Sequence, residues 1–177
     1  MSYKMSEKPL VSKQEIEERL DKIAAEVKAW GFDVILPILS GSFIFAADLC
    51  RRIAAPALQI KFIRASSYGN STESSGDLKI SGLENIDIRG KKVLVVDDIL
   101  DTGITLSKVC EALKAYSPAE LRTCVLLDKG ARRTVDFNAD FVGFSIENKF
   151  VVGYGLDYAD DYRTFPEIWT LEETDGQ

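Results

Sequence analysis

Histidine is absent from all 177 residues. With it go Ser-His-Asp and Cys-His nucleophile arrangements, imidazole acid–base chemistry and every His-ligated metal site. Cysteine is scarce: Cys50, Cys110 and Cys124 lie far apart, each among apolar neighbours. An odd, scattered set of this kind excludes a disulfide framework and a zinc knuckle, and it points to the reducing cytoplasm. No apolar run approaches the roughly 18 to 20 residues of a membrane span, and MSYKMSEKPL lacks an apolar signal core. Positive charge is in deficit, with Lys+Arg 22 against Asp+Glu 28 and a net charge of −6. That balance argues against a surface that coats nucleic acid, although it leaves room for a local phosphate pocket. No G-x-x-x-x-G-K-[ST] occurs, so a P-loop nucleotidase is out. What remains is 46% hydrophobic and 28% charged, close to the globular average. The length suits one domain over 1–177, with no repeat and no linker.

Alternating strand and helix patterns run along the chain. Ser12 and Glu15 form a capping-box pair ahead of Ile16, Leu20, Ile23, Val27 and Trp30, which predicts a helix over 13–30 that ends before Gly31. Val34 to Leu39 reads as a strand, Ser40-Gly41-Ser42 as a tight loop, and Phe43, Ala46, Leu49 and Ile53 as the buried stripe of a second helix. Leu58, Ile60 and Phe62 alternate with Gln59, Lys61 and Ile63, the pattern of a further strand. Leu78–Ile80 and Ile86–Ile88 are expected to pair as a hairpin. The continuous apolar run Val93–Val96 reads as a strand covered on both faces. A third helix follows through Leu106, Val109, Leu113 and Tyr116, and 121–127, 141–146 and 151–154 supply more strands. This alternation calls for an α/β fold with a mainly parallel sheet flanked by helices. From Ser66 to Asp77 the chain is polar and Gly/Ser-rich, readable as a passive loop or as a lid.

The segment from Val93 to Leu106 carries the strongest chemical signal. The strand delivers three carboxylates, Asp97, Asp98 and Asp101, into a loop that closes on Thr102, Gly103 and Thr105 where a helix begins. Helix starts present backbone N–H groups and a partial positive charge, so an anion is welcome there. Carboxylates beside an anion cradle repel it unless they have other work, and sugar hydroxyls or a divalent cation supply that work. Strand-end and helix-cap duties account for one or two of the aspartates, not for three with two threonines. A phosphoacceptor receiver domain also places an acidic pair after such a strand, but too little chain follows Asp98 to build it.

VLVVDDILDTGITL resembles the phosphoribosyl pyrophosphate loop of the type I phosphoribosyltransferases. LSGSFIFAADLCRRI, ASSYG, LLDKGARR, DFVGFSI and KFVVGYGLDYADDYR are similar to the hypoxanthine-guanine members of that family, in the same order and at similar separations. The resemblance spans about Val34 to Arg163. It implies a twisted, mainly parallel sheet with a small hood, and transfer of the 5-phosphoribosyl group from phosphoribosyl pyrophosphate to N9 of hypoxanthine or guanine in purine salvage. By the same resemblance the partners are those two substrates, without nucleic acid or membrane, and the assembly is a homodimer or homotetramer.

The resemblance also assigns roles. Asp97 and Asp98 would hold the ribose hydroxyls, directly or through Mg2+, with Asp97 standing where many relatives have glutamate. Asp101 would handle the purine N7 proton, and Thr102, Gly103 and Thr105 would cradle the 5′-phosphate. Lys129 would donate to the 6-oxo group; an ammonium has donors only, so it suits an oxygen and disfavours the amino group of adenine. Phe150 would stack on the base, the Val151 backbone would meet its pyrimidine edge, Asp157 would contact the second Mg2+, and Arg163 the pyrophosphate. Ser67 and Tyr68 would belong to the lid over 66–77. Taken singly, Lys129 reads better as a surface turn, Phe150 as core and Asp157 as a loop cap; taken together, with the 93–106 segment fixed, the functional reading wins. One departure stands out. The family's pyrophosphate loop usually opens with a basic residue before glycine, whereas this chain has Ser40-Gly41, leaving backbone N–H groups to bind pyrophosphate. The alternative is a non-catalytic, nucleotide-sensing regulator of the same fold, whose signature would be a basic face.

Overall fold

The computed structural model describes residues 2–67 and 78–174. Helix α1 (Lys13–Trp30) begins at the expected box: Ser12 Oγ accepts the Glu15 N–H at 3.3 Å, and the Glu15 carboxylate accepts the Ser12 N–H at 2.8 Å. Ile16, Leu20, Ile23 and Val27 bury one stripe, and Gly31 ends the helix at φ +72°. Strand β2 (Val34–Leu39) feeds α2 (Phe43–Ile53), and β6 (Lys92–Leu100) feeds α3 (Ile104–Lys114). The main sheet runs β5-β4-β2-β6-β7-β8, with β4 (Ile63–Ser67), β5 (Leu78–Ser81), β7 (Glu120–Asp128) and β8 (Phe141–Ser145); β3 (Gln59–Ile60) also pairs with β2. Every pairing in it is parallel except β4 with β5.

Side chains alternate across this sheet, which is why its strands are apolar throughout. Ile35, Leu94, Val96, Cys124 and Leu126 pack with α1 and α2, while Val34, Leu36, Val93, Val95 and Val125 pack with α3. The chain leaves β2 towards β3 and β4 but leaves β6 towards β7. The neighbouring carboxyl ends of β2 and β6 therefore form a topological switch point, where open α/β sheets bind ligands. A second, antiparallel sheet of β1 (Ser2–Met5), β10 (Trp169–Thr174) and β9 (Phe150–Val152) makes the hood. Among the described residues no helix is long and apolar enough to cross a membrane.

Three local expectations are corrected. The alternating 58–63 segment is split into β3 and β4, and Ile60 and Phe62 stay exposed. The partner of β5 is β4 rather than 86–88; Ile86 and Ile88 follow a 3-10 turn and are buried without pairing, so their spacing reports burial alone. Strand β6 runs on to Leu100, which places Asp97 and Asp98 on the strand and only Asp101 in the loop.

Candidate active site

A cleft of about 280 Å³ opens at the switch point, lined by Leu39 and Gly41 from the end of β2 and by Asp98, Asp101, Thr102, Gly103 and Thr105 from the end of β6 and the start of α3. The Leu39–Ser40 peptide is cis. Ser40 is exposed. Gly41 faces Asp98 so closely that a Cβ there would lie 1.7 Å from the Asp98 carboxylate, so only glycine leaves the acid its place.

Asp97 is buried and accepts the Asp98 N–H at 3.1 Å; Asp98 accepts the Ile99 N–H at 2.8 Å. Burial, and then the neighbouring Asp98 charge, hold the Asp97 carboxyl well above the usual range. Burial also raises Asp98, against the backbone hydrogen bonds and the Arg163 charge that lower it. Asp101 is different. Its Oδ1 is buried without a hydrogen-bond partner, although Arg132 Nε stands 3.3 Å away as an ion pair, and its backbone carbonyl accepts from Arg133 at 2.9 Å. Gly103 adopts φ +86°, the left-handed turn that starts α3, and its other side is closed by Val135 and Arg133. Thr102 Oγ1 accepts the Ile104 N–H at 3.3 Å, tying the loop to the helix start.

The Lys129 N–H donates to the Leu100 carbonyl at 2.9 Å, which carries its side chain to the same strand ends as Asp101. That side chain is buried, not the surface turn it could have been, and desolvation lowers its affinity for a proton while the Asp101 charge restores part of it. Phe150 is 46% exposed, a ring left open rather than core. Tyr158 meets its edge at 5.7 Å and Tyr3 lies 6.3 Å away. Val151 is buried beside it in β9. Arg163 gathers the hood loop: its guanidinium lies 2.9 Å from Asp157 and 3.2 Å from Asp160 and donates to the Gly155 carbonyl at 2.8 Å.

Asp97, Asp98, Asp101, Thr102, Gly103, Thr105 and Gly41 thus come together around one cleft. Among the described residues no three carboxylates or thiols converge in a group that could hold a metal, so Asp97, Asp98 and Asp157 form no cage, and Asp157 is paired with Arg163 instead. Ser67 closes β4 opposite Leu78; Tyr68 and the remainder of the expected lid, 68–77, lie outside the described residues. Arg132, Tyr3 and Tyr158 went unmarked in the sequence. KGARR offered two arginines without saying which would reach Asp101, and nothing local ties Tyr3 to a ring 147 positions later.

Residues 7–159 match the family model described as phosphoribosyl transferase domain. The chain is 44% identical over 170 residues to a hypoxanthine-guanine phosphoribosyltransferase of Aquifex aeolicus, covering 94% of this chain and 95% of that one. It is also 44% identical over 164 residues to the hypoxanthine phosphoribosyltransferase of Escherichia coli, covering 90% and 92%. The crystal structure of a hypoxanthine-guanine phosphoribosyltransferase from Bacillus anthracis superposes with a TM-score of 0.87 at 36% identity, covering 97% of this chain and all of that one.

Proposed function

The chain belongs to the phosphoribosyltransferase family, and from that premise we propose that it moves the 5-phosphoribosyl group of phosphoribosyl pyrophosphate to N9 of hypoxanthine or guanine, a purine-salvage reaction. The observation that carries this reading is the placement of the buried Lys129 and of Asp101 just past the adjoining ends of β7 and β6, beside an anion cradle at the start of α3. In this reading Lys129 donates to the purine 6-oxo group and Phe150 covers the ring. N9 forms its bond to C1 of the ribose while the bond from C1 to pyrophosphate breaks, and the leaving group takes the electron pair. The N7 proton passes to Asp101, whose Oδ1 has no other hydrogen bond. Thr102, Gly103 and Thr105 receive the 5′-phosphate, as helix starts do. Asp97 and Asp98 take the ribose hydroxyls, where burial and the Asp98 charge hold the Asp97 carboxyl above its ordinary range. Arg163 and the backbone N–H groups at Ser40-Gly41 receive the pyrophosphate, where they stabilise charge that grows as the bond to C1 breaks.

Magnesium fits this donor set, since it takes one or two carboxylates with substrate oxygens and water rather than a protein cage. Asp97, Asp98 and Asp157 are the residues from which it would draw those ligands, and it would supply charge neutralisation on the pyrophosphate. The whole chain acts as one unit in this reading, the hood closing over the sheet, in a cytoplasmic setting that suits three free cysteines. Self-association as a homodimer or homotetramer belongs to the same reading, supported by the exposed Phe43, Ile60 and Phe62 along one apolar groove. The regulator alternative has no observation in its favour. Asp101→Asn tests the catalytic assignment: kcat should fall by about 10²–10⁴, the usual range for general acid–base catalysis, with phosphoribosyl pyrophosphate binding little changed. Near-normal turnover would leave Asp101 a loop residue only.

A further inference from the structure

Tyr154 has no part in the chemistry above, yet both its backbone and its hydroxyl are tied down. It sits at φ +52° between Gly153 at +95° and Gly155 at +101°, three successive residues in a region that costs a non-glycine residue free energy. Its ring is buried, and its hydroxyl donates to Asp48 Oδ2 at 2.7 Å, reaching from the hood to α2. The other Asp48 oxygen pairs with Arg51, which fixes the acceptor. Burial and the Asp48 carboxylate push the phenol up, so it remains a donor.

On each side of this bond the backbone leads to pyrophosphate-binding groups. Helix α2 starts straight after the Ser40-Gly41 loop, and the Phe43 N–H donates to the Ser40 carbonyl at 3.2 Å. The residue after Tyr154 lies on that same loop: a Cβ at Gly155 would stand 2.3 Å from the Gly41 carbonyl oxygen. Gly155 in turn carries Arg163, donating to its carbonyl at 2.9 Å and accepting from its guanidinium at 2.8 Å. We propose that the Tyr154–Asp48 hydrogen bond is a clasp that seats the hood on the Ser40-Gly41 loop, so that Tyr154 is a positioning residue for the pyrophosphate end of the substrate. This rests on the phosphoribosyltransfer reading and adds to it two residues that touch neither substrate.

The test is steady-state kinetics with phosphoribosyl pyrophosphate and hypoxanthine, alongside direct binding of pyrophosphate with magnesium. Tyr154→Phe keeps the ring and removes only the donor. It should raise the KM for phosphoribosyl pyrophosphate and the Kd for pyrophosphate about fivefold, the weight of one hydrogen bond, with kcat and the base KM within about twofold. Asp48→Ala should do the same, and the double variant Tyr154→Phe/Asp48→Ala should add nothing further. Asp48→Asn, which keeps one acceptor oxygen, should bind pyrophosphate within about twofold of the unaltered protein. Unchanged pyrophosphate affinity in Tyr154→Phe, or an equal rise in the base KM, overturns the clasp while leaving the enzyme reading intact. Failure of the unaltered protein to bind phosphoribosyl pyrophosphate overturns the enzyme reading itself.

Discussion

Gly41→Ala puts the geometry of the switch point under direct test. Gly41 is not in the left-handed region, so alanine carries no backbone cost there. The whole effect falls on Asp98, because the new Cβ would stand 1.7 Å from its Oδ2 and 2.6 Å from its Cγ. The carboxylate cannot swing away freely, since its Oδ1 accepts the Ile99 N–H at 2.8 Å. Losing a hydrogen bond to a charged group costs about 1.5–3 kcal/mol. That amount should appear partly in stability and mainly in substrate affinity, because Asp98 lines the cleft. Phosphoribosyl pyrophosphate binding, measured by calorimetry with magnesium present, should weaken about 10- to 100-fold. Urea unfolding should show a loss no greater than about 3 kcal/mol. Adding Asp98→Ala removes the clash, so the unfolding midpoint should recover while binding stays weak. An alanine variant with both affinity and unfolding unchanged would refute the opposition of loop and carboxylate.

Asp97→Asn addresses the buried acid. A carboxyl raised in the folded state stabilises the fold while protonated, and that contribution is lost as pH climbs from the unfolded value of about 3.9 through the folded one. The asparagine variant, free of this loss, should therefore gain on the unaltered protein between pH 4 and pH 7 in thermal melts without magnesium; an equal offset at both pH values would mean Asp97 is ionised in the fold. Ser40→Arg adds a basic side chain at the head of the proposed pyrophosphate loop and should tighten pyrophosphate by about 0.5–1.5 kcal/mol, more at low salt because Ser40 is exposed. Ser40→Ala should be nearly neutral in the same titration, and a large loss there would show that the hydroxyl, not the backbone, binds substrate.

Much of the fold and the site was legible where physics is local. The Ser12–Glu15 box and its apolar stripe set both ends of α1, and doubly covered strands such as 93–96 declared themselves by being apolar throughout. Asp97, Asp98, Asp101 and the two threonines stood out because their spacing joins a strand end to a helix start. The misread parts depend on distant partners. Asp97 and Asp98 look like loop residues, yet they extend β6 because β7 pairs along it as far as Asp128. Ile86 and Ile88 look like a strand, yet they are merely covered. Strands β1 and β10 bring together the two ends of the chain, Ser2 with Thr174, which no window of sequence can announce. Arg132 and Tyr154 share that cause: a side chain's partner 31 or 106 positions away is fixed by topology, not by its neighbours.

The most direct test of the account is a panel of bases with phosphoribosyl pyrophosphate and magnesium, followed by release of pyrophosphate and formation of the nucleoside monophosphate. Lys129 is a buried ammonium that can donate but not accept, and in the proposed function it meets the 6-oxo group while Asp101 takes the N7 proton. Hypoxanthine or guanine should be converted, and adenine, whose 6-amino group offers a donor where an acceptor is needed, should not. Adenine turnover equal to that of hypoxanthine, or no turnover of either 6-oxopurine, would contradict the account.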